Sequence, residues 1–130
     1  MREPVWIEKE ALVLLHGASL ARFGGVEGIR DEGLLDAALA RPINKFHYAQ
    51  SDNEPSDLAD LAAAYAFGLV KNHPFVDGNK RAAFLACGIF LAVNGKNLDA
   101  PAAETVAAVM ALADGSVNER EFALWIRRHW

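Results

Sequence analysis

The chain has a single cysteine in 130 residues, Cys87, so no disulfide can close within it. Cys87 sits inside an apolar helical run and reads as core, not as an activated thiol. Positive charge is not in excess: 13 Lys and Arg face 17 Asp and Glu, giving a net charge of −4. That balance speaks against direct nucleic-acid binding, although it leaves room for a local cationic pocket. No apolar run reaches the ~18 residues of a membrane-spanning helix. Met1 to Lys9 carries Arg2, Glu3, Glu8 and Lys9 where a signal peptide would need an apolar stretch. The expectation from these absences is a soluble cytoplasmic protein with neither membrane nor nucleic acid as a direct partner.

What is present is apolar and helical. Hydrophobic residues make up 52% of the chain, enough for a real core in one domain spanning 1–130. No repeat, linker or strand pattern stands out, so the fold class is all-α with about six helices. A first helix is expected over Ile7 to Leu20, from Ala11, Leu12, Leu15, Leu20 and Phe23. His16 on it reads as a surface or partner-packed histidine. Gly24, Gly25 and Gly28 form a tight connector. Asp31 caps a short helix, Glu32 to Ala40, which Pro42 stops. Ile43 to Pro55 holds no period and is expected to be a loop or short hairpin, either a plain surface connector or, as Phe46, His47 and Tyr48 suggest, a binding flap. Ser56 or Asp57 caps a buried helix to about Asn72, and Pro74 ends it. A second buried helix runs to Val93 and stops at Asn94-Gly95. A fifth starts at Asp99 and Pro101 with Val106, Val109, Met110 and Leu112 inward. Ser116 to Glu119 reads as a capping box for the last, whose Arg127, Arg128 and His129 suit its C-terminal dipole.

Between the two most apolar helices lies His73-Pro74-Phe75-Val76-Asp77-Gly78-Asn79-Lys80-Arg81. Lys80 and Arg81 run against the preference for acidic residues in a helix's first turn. A histidine near pKa ~6.5 can take a proton from a hydroxyl. Asp77 can hold Mg²⁺, while Asn79, Lys80, Arg81 and the helix amides can neutralise phosphate. Each residue also has a plain structural role open to it: His73 as a cap, Asp77 in a surface ion pair, Gly78 as a turn, Phe75 as a core plug. The loop has no serine or cysteine to act as nucleophile, so the hydroxyl belongs to a substrate.

This stretch resembles the signature of the Fic/Doc family. The Fic branch reads H-P-F-x-(D/E)-G-N-G-R-x-x-R, and the death-on-curing (Doc) toxin branch reads H-x-F-x-(D/N)-(A/G)-N-K-R. Lys80 stands where the Fic branch has glycine, and Phe84 where it has its second arginine, so the chain is similar to the Doc branch. The segments Arg22-Phe23-Gly24-Gly25 and Gly28-Ile29-Arg30-Asp31-Glu32-Gly33-Leu34-Leu35 resemble the Doc amino-terminal half. The resemblance implies His73 as base, Asp77 as metal ligand, Gly78 and Asn79 as phosphate contacts, Lys80 and Arg81 as phosphate clamps, and Lys71 as a further nucleotide-binding candidate. The segment 43–55 would be the flap that positions the target.

Fic enzymes transfer AMP to protein hydroxyls, whereas Doc toxins are kinases that phosphorylate a threonine of elongation factor Tu and arrest translation. Lysine in place of glycine fills the space where phosphate would approach the backbone. The implied activity is therefore transfer of the γ-phosphate of ATP, with Mg²⁺. AMP transfer and a non-catalytic binding module are the alternatives. The inhibitory pattern (S/T)-x-x-x-E-(G/N) of many Fic proteins is absent: Phe23 precedes Glu27-Gly28 by four, and Gly28 precedes Glu32-Gly33. Control would then come from an antitoxin of the prevents-host-death (Phd) type, whose disordered tail folds onto the toxin.

Overall fold

In a computed structural model, which describes residues 2–51 and 55–130, six helices follow one another. They are α1 (Lys9–Phe23), α2 (Glu32–Ser51), α3 (Leu58–Asn72), α4 (Asn79–Val93), α5 (Ala102–Asp114) and α6 (Glu119–Arg127). Among the described residues there is no strand, only an isolated antiparallel bridge between Ile29 and Phe75. No described helix is long and apolar enough to cross a membrane.

α3 is the axis of the bundle. Its sequence is apolar on nearly every face, and Leu61 to Tyr65 are wholly buried. It packs on α2, α4, α5 and α6. The alanines keep the helices close, while Tyr65 and Phe90 fill the gaps, their rings 5.1 Å apart. Cys87 is buried in this core, and burial pushes its thiol up to about 12, which leaves it unreactive. The N-terminal segment straps across: Trp6 packs on Phe46 and Phe90, and the Tyr65 hydroxyl accepts from the Ile7 amide at 3.1 Å.

Several expectations hold at the helix ends. Asp31 accepts from the Leu34 amide at 2.9 Å, and Asp57 caps α3 through a reciprocal box with Asp60. α3 ends at Asn72 before Pro74, and Asn94-Gly95 closes α4. Others need correction. Pro42 does not stop the second helix; it lies inside α2, which continues to Ser51. Leu35, Ala38, Pro42 and Phe46 form one buried stripe, and burying Pro42 and Phe46 against the core offsets the backbone bond that proline cannot make. Positions 43–51 are therefore helix rather than loop, and 52–54 lie outside the described residues. In α1 the buried stripe is Leu12, His16 and Leu20, with Ala11, Leu15 and Phe23 exposed. The last helix is capped by Asn118 with Glu121, two residues later than expected. In α5, Val109 and Leu112 face the core but Val106 and Met110 do not: they are 57% and 52% exposed.

Arg127 does more than favour a dipole. Its guanidinium reaches Asp57 at 2.7 Å and Asp60 at 2.6 Å, tying the end of α6 to the start of α3. Burial alone would raise the Asp57 carboxyl; hydrogen bonds from Arg127 and from the Asp60 amide outweigh it and hold the group below 3.8. Asp57→Ala removes a helix cap and one anchor of this clamp, so thermal denaturation should show a loss of about 1–2 kcal/mol at pH 7. Because the folded pKa is depressed, that advantage of the native chain should disappear as pH falls through it.

Candidate active site

The segment joining α3 to α4 has no helix to satisfy its backbone, and its pairing comes from elsewhere in the chain. Pro74 forces the chain out of helical geometry, and His73 takes the left-handed conformation at φ 49° and ψ 54°. Residues 28–31 lie against it: the Pro74 carbonyl accepts from the amides of Arg30 and Asp31, and the Val76 amide donates to the Gly28 carbonyl. The Arg30 side chain closes the end of α3. Its Nε donates to the His73 carbonyl at 2.6 Å, and its Nη2 to the Asn72 carbonyl at 2.9 Å.

Asn79 is 7% exposed and works inside the loop. Its Oδ1 accepts from the Phe75 amide at 2.9 Å, and its Nδ2 donates to the Phe75 carbonyl at 3.0 Å. That pair fixes which way the amide points. The remaining Nδ2 hydrogen faces His73 Nδ1 at 3.3 Å, a long bond that also orients the imidazole. Phe75 is buried against the His16 ring at 4.3 Å, as its core-plug role requires.

His16 supports the loop from below. It is 2% exposed, and its Nε2 donates to the Asp77 carbonyl at 2.9 Å. The hydrogen therefore sits on Nε2, and buried Nδ1 has no partner among the described residues. Gly78 lies directly above, at φ 74°, and a Cβ there would come within 2.8 Å of His16 Cε1. Glycine is needed at 78 on both counts. As the N-cap of α4 it also offers no side chain, so the first-turn amides stay uncapped.

The Asp77 carboxylate is exposed and held by backbone: Oδ2 accepts from Val26 at 3.1 Å and Oδ1 from Gly78 at 2.8 Å. Gly25 allows this approach, since a Cβ there would lie 3.1 Å from Oδ2. The Val26 amide first, then the Gly78 amide and the nearby Arg81 charge, lower its pKa. Asp77 is therefore anionic at neutral pH, with lone pairs to spare. Among the described residues no three His, Cys, Asp or Glu side chains form a metal cluster. Any cation at Asp77 would draw its other ligands from substrate and water, as Mg²⁺ commonly does.

Lys80 is exposed and makes no hydrogen bond or ion pair with the described residues, whereas Arg81 donates to the Gly24 carbonyl at 3.1 Å. His73, Asp77, Gly78, Asn79, Lys80 and Arg81 line one cavity of about 550 Å³. Its opposite wall is apolar, built from Phe84 of α4 and Val106 and Met110 of α5, which explains why the last two point away from the core. Lys71 does not join them. It lines a separate cleft, with its Nζ 3.4 Å from the Ala113 carbonyl and 5.7 Å from the Phe67 ring.

The residue pattern assigns Arg30 no role of its own and suggests a surface or partner-packed place for His16, whereas the structure buries His16 beneath the loop. The spacing of Leu12, His16 and Leu20 carries the signal for His16, which falls on the buried stripe. Arg30 has no comparable signature, because its partners are backbone carbonyls more than forty positions away.

Fold and loop together define a class: a helical bundle that presents a histidine, a carboxylate and a cationic first turn between two buried helices. Residues 6–91 match the model of the Fic/DOC family, and the chain belongs to that family. It is similar to the protein kinase Doc of Escherichia phage P1, 32% identical over 123 residues that cover 94% of this chain and 93% of that one. It is also similar to the toxin Doc of Mycolicibacterium smegmatis, 47% identical over 87 residues, 67% of this chain and 64% of that one.

Burial pushes the His16 imidazole below its ordinary 6.5, Arg81 adds to this, and the Asp77 carbonyl opposes it. The fold thus prefers neutral His16, and acid favours the unfolded chain, which protonates first. Stability should fall as pH drops from 7.5 through 6.5 towards the folded pKa. Urea denaturation of His16→Gln, which keeps a donor for Asp77 but does not titrate, should show a shallower fall.

Proposed function

We propose that this chain is a Doc-type toxin, a protein kinase that moves the γ-phosphate of ATP onto a hydroxyl of a protein target and so arrests translation. A threonine of elongation factor Tu is the target this reading favours. The observation that carries it is the meeting, in one cavity, of His73, an uncapped helix N-terminus and Lys80, a cation without a partner among the described residues. Phosphate oxygens suit the amides of Asn79, Lys80 and Arg81. Asp77 would hold Mg²⁺, which supplies charge neutralisation on those oxygens. A nucleobase suits the apolar wall of Phe84, Val106 and Met110.

In the reaction, His73 takes the proton of the target hydroxyl, whose oxygen bonds to the γ-phosphorus while the bond to the ADP oxygen breaks. The accepting ring carries its own hydrogen on Nδ1. It therefore gives up the long Asn79 contact and presents the Nε2 lone pair. Lys80 and Arg81 stabilise the charge that accumulates on the phosphoryl oxygens and on ADP. Arg30 positions the base through the His73 carbonyl. Lysine at 80 and phenylalanine at 84, against glycine and arginine in AMP-transferring relatives, favour γ-transfer over AMP transfer. We further infer one domain across 1–130, a cytoplasmic setting, and control by a Phd-type antitoxin.

Incubation with elongation factor Tu and γ-labelled ATP should label the factor, and His73→Ala should lower the rate by about 10²–10⁴-fold with the fold intact. Label from α-labelled ATP alone would replace the kinase with AMP transfer, and unchanged toxicity of His73→Ala in cells would point to a binding module. Arg30→Ala should slow transfer by about 10–100-fold, because a base misplaced by an ångström loses alignment. Arg30→Lys can reach only one of the two carbonyls and should recover part of that loss.

A further inference from the structure

A second cleft, of about 790 Å³, opens between α2, α3 and the start of α6. It is absorbed neither by the core nor by the motif. Among the described residues that line it, three are cations, Arg41, Lys45 and Lys71, and one is an anion, Glu119, with Asp114 near enough to Lys71 to feel its charge. In a chain of net charge −4, that local excess stands out. Arg41 and Lys45 both hold the largely buried Glu119 carboxylate, so its single charge is shared between two cations. The Arg41 guanidinium lies 4.7 Å from the Phe67 ring and the Lys71 ammonium 5.7 Å from the same ring. One aromatic platform therefore carries two cations at the floor of the cleft, and Tyr48, 72% exposed, stands beside it.

The cleft also has a definite relation to the motif cavity. Asn72 lines the first and His73 the second, so neighbouring residues at the end of α3 line the two. A protein segment whose hydroxyl reaches His73 can extend a flank towards this cleft, at roughly 3.3–3.6 Å per extended residue.

Resting on the kinase reading above, we propose that the cleft docks an acidic stretch of the protein substrate. Carboxylates a few residues from the accepting hydroxyl would pair with Lys71 and with the share of Arg41 and Lys45 that Glu119 leaves unneutralised. Lys71 then belongs to the protein substrate and not to the nucleotide. Charge complementarity of this kind sets specificity and speeds encounter more than it deepens affinity.

The test uses two synthetic peptides, a threonine flanked by glutamates and the same peptide with glutamines, titrated by fluorescence anisotropy without nucleotide. The glutamate peptide should bind the full chain about tenfold more tightly at low salt. The difference should shrink as salt rises. Lys71→Glu should abolish the preference, and Lys71→Gln should reduce it; both sit on an exposed side chain and leave the Arg41–Glu119–Lys45 group intact. Equal binding of the two peptides, or an unchanged preference in Lys71→Glu, overturns the proposal. Binding without nucleotide separates it from the kinase reading. Preference without transfer in the wild type would sink the kinase and keep the acidic site. Transfer to both peptides with one KM would keep the kinase and sink the site.

Discussion

Everything at the candidate site depends on how the backbone from His73 to Gly78 is paired. A connector of this length between two buried helices carries polar groups that water cannot fully reach, and each unpaired one is costly. The chain answers with residues 28–31, which lie alongside as a short strand-like partner, and with three side chains that end on backbone: Arg30, Asn79 and His16. The chemistry-bearing groups inherit their positions from this pairing. His73 is held at its own carbonyl, Asp77 at both carboxylate oxygens, and Gly78 against an imidazole below.

The two cations of the first turn do different work. Arg81 is anchored to the connector after α1, and its charge lowers both Asp77 and His16. Lys80 is left without a protein partner among the described residues. One cation maintains the local field and the other is available to a ligand. This division follows from helix geometry, since adjacent residues in a first turn point about 100° apart.

Much of the fold was legible in the sequence because it rests on local rules. Asp31 and Asp57 as caps, Pro74 as a stop, and Asn94-Gly95 as an end each depend on a few neighbours, and each is found. Pro42 shows where local rules fail: its penalty is real, yet a buried stripe from Leu35 to Phe46 outweighs it. The capping box illustrates a subtler error: Asn118 with Glu121 three residues on is itself a local capping box, while Ser116 bonds Asp114 instead. Val106 and Met110 read as core because apolar residues at helical spacing face something. Here that something is the wall of a cavity. The motif loop itself was plain from residue types, but its supports were not, because Arg30 and His16 act across 43 and 61 positions.

Those separations bear on how the site comes into being. The contacts that shape the loop join the first quarter of the chain to its middle, so they are made only after long segments of backbone have been closed. α3 and α4 can pair early, being neighbours with a short connector, but they would do so around an unshaped loop. A nascent chain therefore holds no assembled site until residues beyond Arg81 have left the ribosome and the Gly24–Asp31 connector has docked. Assembly of the loop reports docking of the connector between α1 and α2.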